Sequence, residues 1–250
     1  MITSLAGGRV LAEKHGATPA RVVALHGWGR DGTDFATILT GLDAVSIHLP
    51  GFGPAPAPDT AWGTDEYAEL VAEAVAAIAP VVIVAHSFGG RVAVRLAARH
   101  PELVAGLVLT GVPLVTLHAP APSPLGYRLA RWANRRGLVS DARMDALRDK
   151  RGSVDYRAAQ GVLRAVMVRV VNETYDDDLA TLAAGTVPLR FVWGEHDTAA
   201  PTDAGRIAAE RVGSPFRVGP DTAHLLEGDL ALAVREELLG MIAQTQEARS

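Results

Sequence analysis

The chain has 250 residues, of which 48% are hydrophobic and 21% charged, with no cysteine and a formal net charge of −4. That is enough apolar material for one large core, and it excludes disulfides, thiolate metal sites and a cysteine nucleophile. The acidic balance, with glycine and proline scattered along the chain, also argues against a nucleic-acid-binding, fibrous or disordered protein.

The N-terminus lacks a basic start followed by a long apolar run, so it does not read as a signal peptide. No stretch reaches the roughly 18 uninterrupted apolar residues that span a bilayer, and the expectation is a cytoplasmic protein with no membrane span. Residues 2–6 and 9–13 flank Gly7-Gly8 and read as a hairpin, because glycine tolerates the positive φ of a tight turn. Compact apolar runs follow at 21–25 (RVVAL), 44–49 (AVSIHL), 81–85 (VVIVA), 106–110 (GLVLT), 189–193 (LRFVW) and 215–218. Runs so short and so uniformly apolar suit central strands buried on both faces. Helical periodicity lies between them at 65–78, 88–99 and 203–212, a last helix covers 229–245, and Thr64 reads as the N-cap of the first. Strand then helix, repeated, predicts an α/β fold with a mostly parallel, doubly wound sheet. Residues 114–186 break the rhythm with a Pro-rich connection and helical patterns without strands. They read as a helical lid inserted after strand 6, the core being residues 1–113 and 187–250.

The strongest chemical signal is Ala85-His86-Ser87-Phe88-Gly89-Gly90, where a buried strand turns directly into a helix. A nucleophile at such a turn sits on strained backbone and needs small residues two positions either side, here Ala85 and Gly89. Serine at a helix start also serves as a plain cap, and by itself it is a poor nucleophile that needs a base and an orienting acid. His224, in the loop before the last helix, is the candidate base, since an open α/β sheet builds its site in the loops at the C-terminal ends of its strands. Among the other histidines, His86 reads as wall or packing and His100 as a partner of a helix C-terminus. His15, His48 and His118 have no supporting context. Asp197, just past the strand at 189–193, is the candidate acid, with Glu195 its nearest competitor. The order Ser87, Asp197, His224 is nucleophile, acid, base. His26-Gly27-Trp28-Gly29 follows the strand at 21–25, so the backbone N–H of Trp28 can join that of Phe88 as the two donors of an oxyanion hole.

Together HGWG, LPGFG at 49–53, AHSFGG, GEHD and His224 resemble the α/β-hydrolase superfamily over nearly the whole chain outside the lid. HGWG with LPGFG is similar to the pimeloyl-acyl-carrier-protein methyl ester esterases of biotin synthesis. SFGGR is similar to a family of menaquinone-pathway lyases that share the triad. The resemblance implies roles for Ser87, Asp197, His224, Trp28 and Phe88. The chain departs from it in Ala85 for glycine, and in His48 where relatives place aspartate before LPG. The loop Thr110-Gly111-Val112-Pro113 carries no carboxylate, which disfavours relatives that place their acid there.

Between residues 123 and 172 there are eleven basic side chains and four acidic ones, a balance of +7 in a chain whose total is −4. Such asymmetry fits an acidic acyl carrier protein docked at the lid, or a plain solvated helix surface. Leu125, Tyr127, Leu129, Trp132, Leu163, Val166 and Met167 line an acyl pocket or belong to the core. The expected pocket is His26, Trp28, Trp132 and Met167. The expected function is hydrolysis of a small carboxylic ester through an acyl-enzyme, with no cofactor and no metal. A lyase or C–C bond hydrolase on the same triad is the alternative, and a non-catalytic binding protein on this fold is the third reading.

Overall fold

In the computed structural model eight short segments extend and pair into one sheet: β1 (Ile2–Leu5), β2 (Val10–His15), β3 (Val22–Leu25), β4 (Ala44–His48), β5 (Val81–His86), β6 (Val104–Thr110), β7 (Leu189–Gly194) and β8 (Phe216–Gly219). The structure describes residues 1–117, 129–130, 132–134, 136–140, 143 and 158–248. His118, the expected pocket residues Leu125 and Tyr127, and the lid's Arg128, Arg131, Arg135, Asp141, Asp145, Arg148, Asp149, Lys150, Arg151, Asp155 and Arg157 lie outside the described residues.

The strand order is β1-β2-β4-β3-β5-β6-β7-β8. β1 and β2 pair antiparallel as the expected hairpin, β2 adds antiparallel to β4, and β3 to β8 run parallel. Side chains alternate between two apolar layers, as the period of a strand requires. Val23, Leu25, Ile83, Leu107 and Leu109 enter one layer, while Val22, Ala24, Val82, Val84 and Val108 enter the other. The first layer is covered by α1 (Thr64–Val75), α2 (Ser87–Arg99), α4 (Asp176–Ala184) and α5 (Thr202–Arg211), and the second by residues around Phe35 and by α6 (Gly228–Glu247). Each large side chain buried this way contributes about 1.5 to 3 kcal/mol.

Two expectations need correction. Thr64 is the first residue of α1 rather than its cap; Gly63 takes the cap position, and its N–H donates to Glu66 Oε2 at 2.8 Å. The connection after β6 is not lid throughout. α3 (Gly161–Val170) lies in it, but α4 packs on α2 and α5, with Leu179 and Leu182 buried in the main core. Burial of that stripe makes α4 a covering helix of the sheet, which sets it apart from the lid expected over 114–186.

Strand order turns round between β3 and β5: β3 leads to β4 on one side, and the chain then crosses back to β5 on the other. A crevice opens at the C-terminal ends of strands at such a point. No helix among the described residues is long and apolar enough to cross a membrane.

Candidate active site

The turn from β5 into α2 places Ser87 at φ 49, in the left-handed region that a side chain rarely adopts. The surroundings force this conformation. Gly89 lies so close to the end of β3 that a Cβ there would strike the carbonyls of Leu25 and His26, and its N–H donates to His26 O at 3.0 Å. Gly90 is held as closely against Val112. Ala85, which stands in place of the usual glycine, is fully buried in register with Leu25 on β3 and Leu109 on β6, so its methyl group is absorbed by the sheet. Phe88 is the second residue of α2, and its N–H therefore has no partner within the helix.

Asp197, past the end of β7, is buried. Its Oδ1 accepts from the N–H groups of Ala199 at 3.0 Å and Ala200 at 2.8 Å. Its Oδ2 accepts from His224 Nδ1 at 2.8 Å. Three donors hold the carboxylate in a fixed direction, and an acceptor so placed fixes the tautomer of His224: Nδ1 carries the proton and Nε2 is left with a lone pair. Glu195, the competing acid, is exposed and accepts from the backbone N–H of Asp221 at 3.1 Å instead. Gly111, at φ 59 beyond β6, forms the floor under this pair. A Cβ there would lie 2.9 Å from His224 Cε1 and 3.3 Å from Asp197 Oδ2. Sequence reasoning read that loop only for its lack of a carboxylate; a lone glycine at the end of a strand was the available signal.

Ser87 and His224 meet through His86, whose ring lies 4.7 Å from the His224 ring and whose Nε2 donates to His224 O at 2.9 Å. Gly27 closes the other side, since a Cβ there would sit 2.8 Å from His86 Nδ1 and 3.4 Å from Ser87 Cβ. The structure thus gathers Ser87, Asp197, His224, the loop of Trp28 after β3 and Phe88 at the start of α2 at one crevice. Among the described residues no hydrogen bond engages the Ser87 hydroxyl, a contact that often closes only with substrate in place.

The expected pocket residues divide. Trp28 and Phe88 pack edge to face at 5.3 Å, and Phe52 stands 4.9 Å from Trp28, which makes an apolar wall beside Ser87. Leu163 of α3 presses on Gly51 in the same loop as Phe52, and Met167 is buried on that helix. His26 does not line a pocket. It is fully buried, its Nδ1 donates to Gly27 O at 2.8 Å, and its Nε2 accepts from Leu49 N–H at 3.0 Å. Burial pushes its pKa down to about 4, so it is a neutral brace between two loops. Trp132 is half exposed and carries the Arg136 guanidinium 4.2 Å over its ring; among the described residues no hydrogen bond or ring contact joins it to the crevice.

A polar clamp that the sequence reading missed joins α3 to the core. Glu173 accepts from Thr64 N–H at 3.1 Å, from Thr64 Oγ1 at 2.5 Å and from Tyr175 Oη at 3.1 Å, at the N-terminus of α1. Arg95 binds Asp178 and the carbonyl of Thr174, and Arg91 donates to the carbonyls of Pro113 and Val170. One group among the described residues, Glu195, His196 and Asp221, places three possible metal-ligand atoms within 4.8 Å of one another, all on exposed side chains outside the crevice.

Residues 22–236 match the family profile described as the alpha/beta hydrolase family. The chain belongs to that family. It is 29% identical to the pimeloyl-acyl-carrier-protein methyl ester esterase of Chromobacterium violaceum, over 76% of this chain and 80% of that one. It is 34% identical to esterase Rv0045c of Mycobacterium tuberculosis, over 53% of this chain but only 44% of the relative's length. A solved structure of a thermophilic esterase from Thermogutta terrifontis superposes with a TM-score of 0.68 at 18% identity, covering 98% of this chain and 99% of that one, a likeness of fold.

Proposed function

We propose that this chain hydrolyses small carboxylic esters through an acyl-enzyme, with Ser87 as nucleophile, His224 as base and Asp197 as the acid that orients it. The observation that carries the reading is the 2.8 Å bond from His224 Nδ1 to a buried Asp197 carboxylate that two further N–H groups hold in place. In this mechanism His224 Nε2 takes the proton of Ser87 as its oxygen attacks the ester carbonyl. The backbone N–H groups of Trp28 and Phe88 stabilise the oxyanion, helped by the positive end of α2. His224 then protonates the leaving alcohol, and a water activated by the same base releases the acid.

The wall of Trp28, Phe52 and Phe88, with Leu163 against the neighbouring Gly51, suits an apolar acyl chain. The connection after β6, up to and including α3, acts as the substrate-selecting lid. An ester carried on an acyl carrier protein is the particular substrate that the basic lid and the relative from Chromobacterium violaceum favour. The lyase reading draws on one likeness: 25% identity, over 76% of this chain, to the 2-succinyl-6-hydroxy-2,4-cyclohexadiene-1-carboxylate synthase of an Enterobacter strain.

Hydrolysis of p-nitrophenyl esters from acetate to decanoate, by the wild type and Ser87→Ala, tests the proposal. The wild type is expected to turn over with an optimum chain length and the variant to lose about a thousandfold or more in kcat. No turnover of any ester by the wild type would remove the esterase reading and leave the lyase reading to be tested on an enol or dicarbonyl substrate.

A further inference from the structure

His86 precedes the proposed nucleophile, yet its side chain touches the proposed base. It is 2% exposed, closes β5 and caps α2, and points away from solvent beneath the His224 loop. Since a carbonyl oxygen can only accept, the 2.9 Å contact with His224 O places the proton of His86 on Nε2. Nδ1 is then bare, and it lies buried beside Gly27 without a hydrogen-bond partner among the described residues. Its register partner on β6, Thr110, leaves Oγ1 buried and without a partner among the same residues. An unpaired polar atom in a core works against stability, and an apolar side chain of the same shape would remove that cost. Residues that break the rules of core packing without a local benefit concentrate at sites where function holds them.

The benefit here is placement. Among the described residues the loop between β8 and α6 is tied by His224 Nδ1 to Asp197, by Thr222 O to the N–H of His196 at 2.8 Å and by the N–H of Asp221 to Glu195. Those bonds join it to the strand that carries the acid. The bond from His86 joins it to the strand that carries the nucleophile, one residue away from Ser87.

We infer that His86 is a positioning residue: its Nε2–H, bonded to the backbone carbonyl of His224, sets the distance between the base and Ser87. This rests on the triad reading above. A supporting consequence is electrostatic. Burial, more than any other influence, pushes the His86 pKa down to about 3; the charges of His224, Arg30 and His26 push the same way, and the bond to the His224 carbonyl opposes them. The ring therefore stays neutral beside a base that becomes cationic during attack, where a second cation would oppose the proton transfer.

The test compares His86→Phe and His86→Gln with the wild type, on the best p-nitrophenyl ester and in the rate of inactivation by a fluorophosphonate. Displacing a reacting group by about 1 Å costs on the order of a hundredfold. His86→Phe is expected to lose about 10- to 100-fold in kcat and in inactivation rate, with KM within about twofold and a melting temperature no lower than wild type. His86→Gln keeps an N–H that can reach the same carbonyl and is expected to recover part of the loss. Wild-type kcat in His86→Phe, equal losses in both variants, or a loss that follows a fall in melting temperature would overturn the inference. Should neither variant fold, nitrogen-15 NMR of the wild type decides. A ring protonated on Nε2 that does not titrate between about pH 5 and 8 supports it, and an Nδ1 tautomer or a titrating ring overturns it. Ser87→Ala and His224→Ala, run alongside, separate the two claims: if they keep activity the triad reading fails, and if they are inactive while His86→Phe is fully active only the role of His86 falls.

Discussion

Ser87 holds a backbone conformation that costs on the order of 1 to 3 kcal/mol, and Gly27, Gly89 and Gly111 are the residues whose missing side chains let the strands close around it. The crevice also carries a second stability cost, in histidines kept neutral by burial. His26 has a folded pKa of about 4 and His86 one of about 3, against 6.5 for an exposed histidine. Below about pH 6.5 the unfolded chain binds protons at both residues while the folded one does not, so unfolding takes up protons and stability falls with pH. The stability is whole above pH 6.5 and is lost on the way down to the folded values, at about 1.4 kcal/mol per pH unit for each histidine. Urea unfolding at pH 7 and at pH 5 is expected to differ by roughly 4 kcal/mol in total, and His26→Gln should remove about half of that difference. A flat profile across this range would mean that one or both rings are protonated in the folded protein. The sequence makes the reactive residues of the site legible, because nucleophile, acid and base each follow their own strand in chain order. It does not separate His26 the brace from His26 the pocket wall, since two loops distant in sequence decide what both ring nitrogens touch.

At the scale of elements, periodicity and burial agree wherever a segment packs on the sheet. β5 and α2 were legible because VVIVA is apolar on both faces and 88–99 repeats at helical spacing, and both end within one residue of the expected positions. α4 was placed with the lid because residues 114–186 carry helical patterns without strands, and its opening Asp176-Asp177-Asp178 gives no apolar sign of burial. Asp178 is in fact buried against Arg95, which lies over the Tyr175 ring at 4.7 Å. The clamp around Glu173 holds this junction, and its carboxylate sits where the dipole of α1 favours negative charge. Glu173→Gln keeps the shape and removes the charge. It is expected to lower stability by roughly 1 to 2 kcal/mol, which in a chain of this size lowers the melting temperature by about 2 to 8 °C. An unchanged melting temperature would show that an uncharged amide at 173 holds Thr64 as well as the carboxylate does.

Across the whole molecule, chain order says little about spatial order. Six parallel strands were recognisable one by one, but the antiparallel attachment of β2 to β4 and the turn of direction between β3 and β5 depend on contacts that no single segment encodes. Charge distribution is the global property that composition does report, and here it is divided: a segment of +7 within a chain of −4. The proposed substrate, an ester with a greasy acyl end on an acidic carrier, makes a testable use of that +7 segment. Electrostatic attraction of that kind acts over a Debye length, which shrinks from about 10 Å in 0.1 M salt to about 3 Å in 1 M. A p-nitrophenyl ester has no charge to be attracted, so its kcat/KM is expected to stay within about twofold over that range, whereas kcat/KM for a methyl ester carried on an acyl carrier protein should fall by about tenfold or more, chiefly through slower association. Reversing Arg164 and Arg169 to glutamate should flatten the salt dependence of the carrier-bound ester alone. If both substrates respond equally to salt, the lid's charge is a solvated surface and the carrier is not its partner.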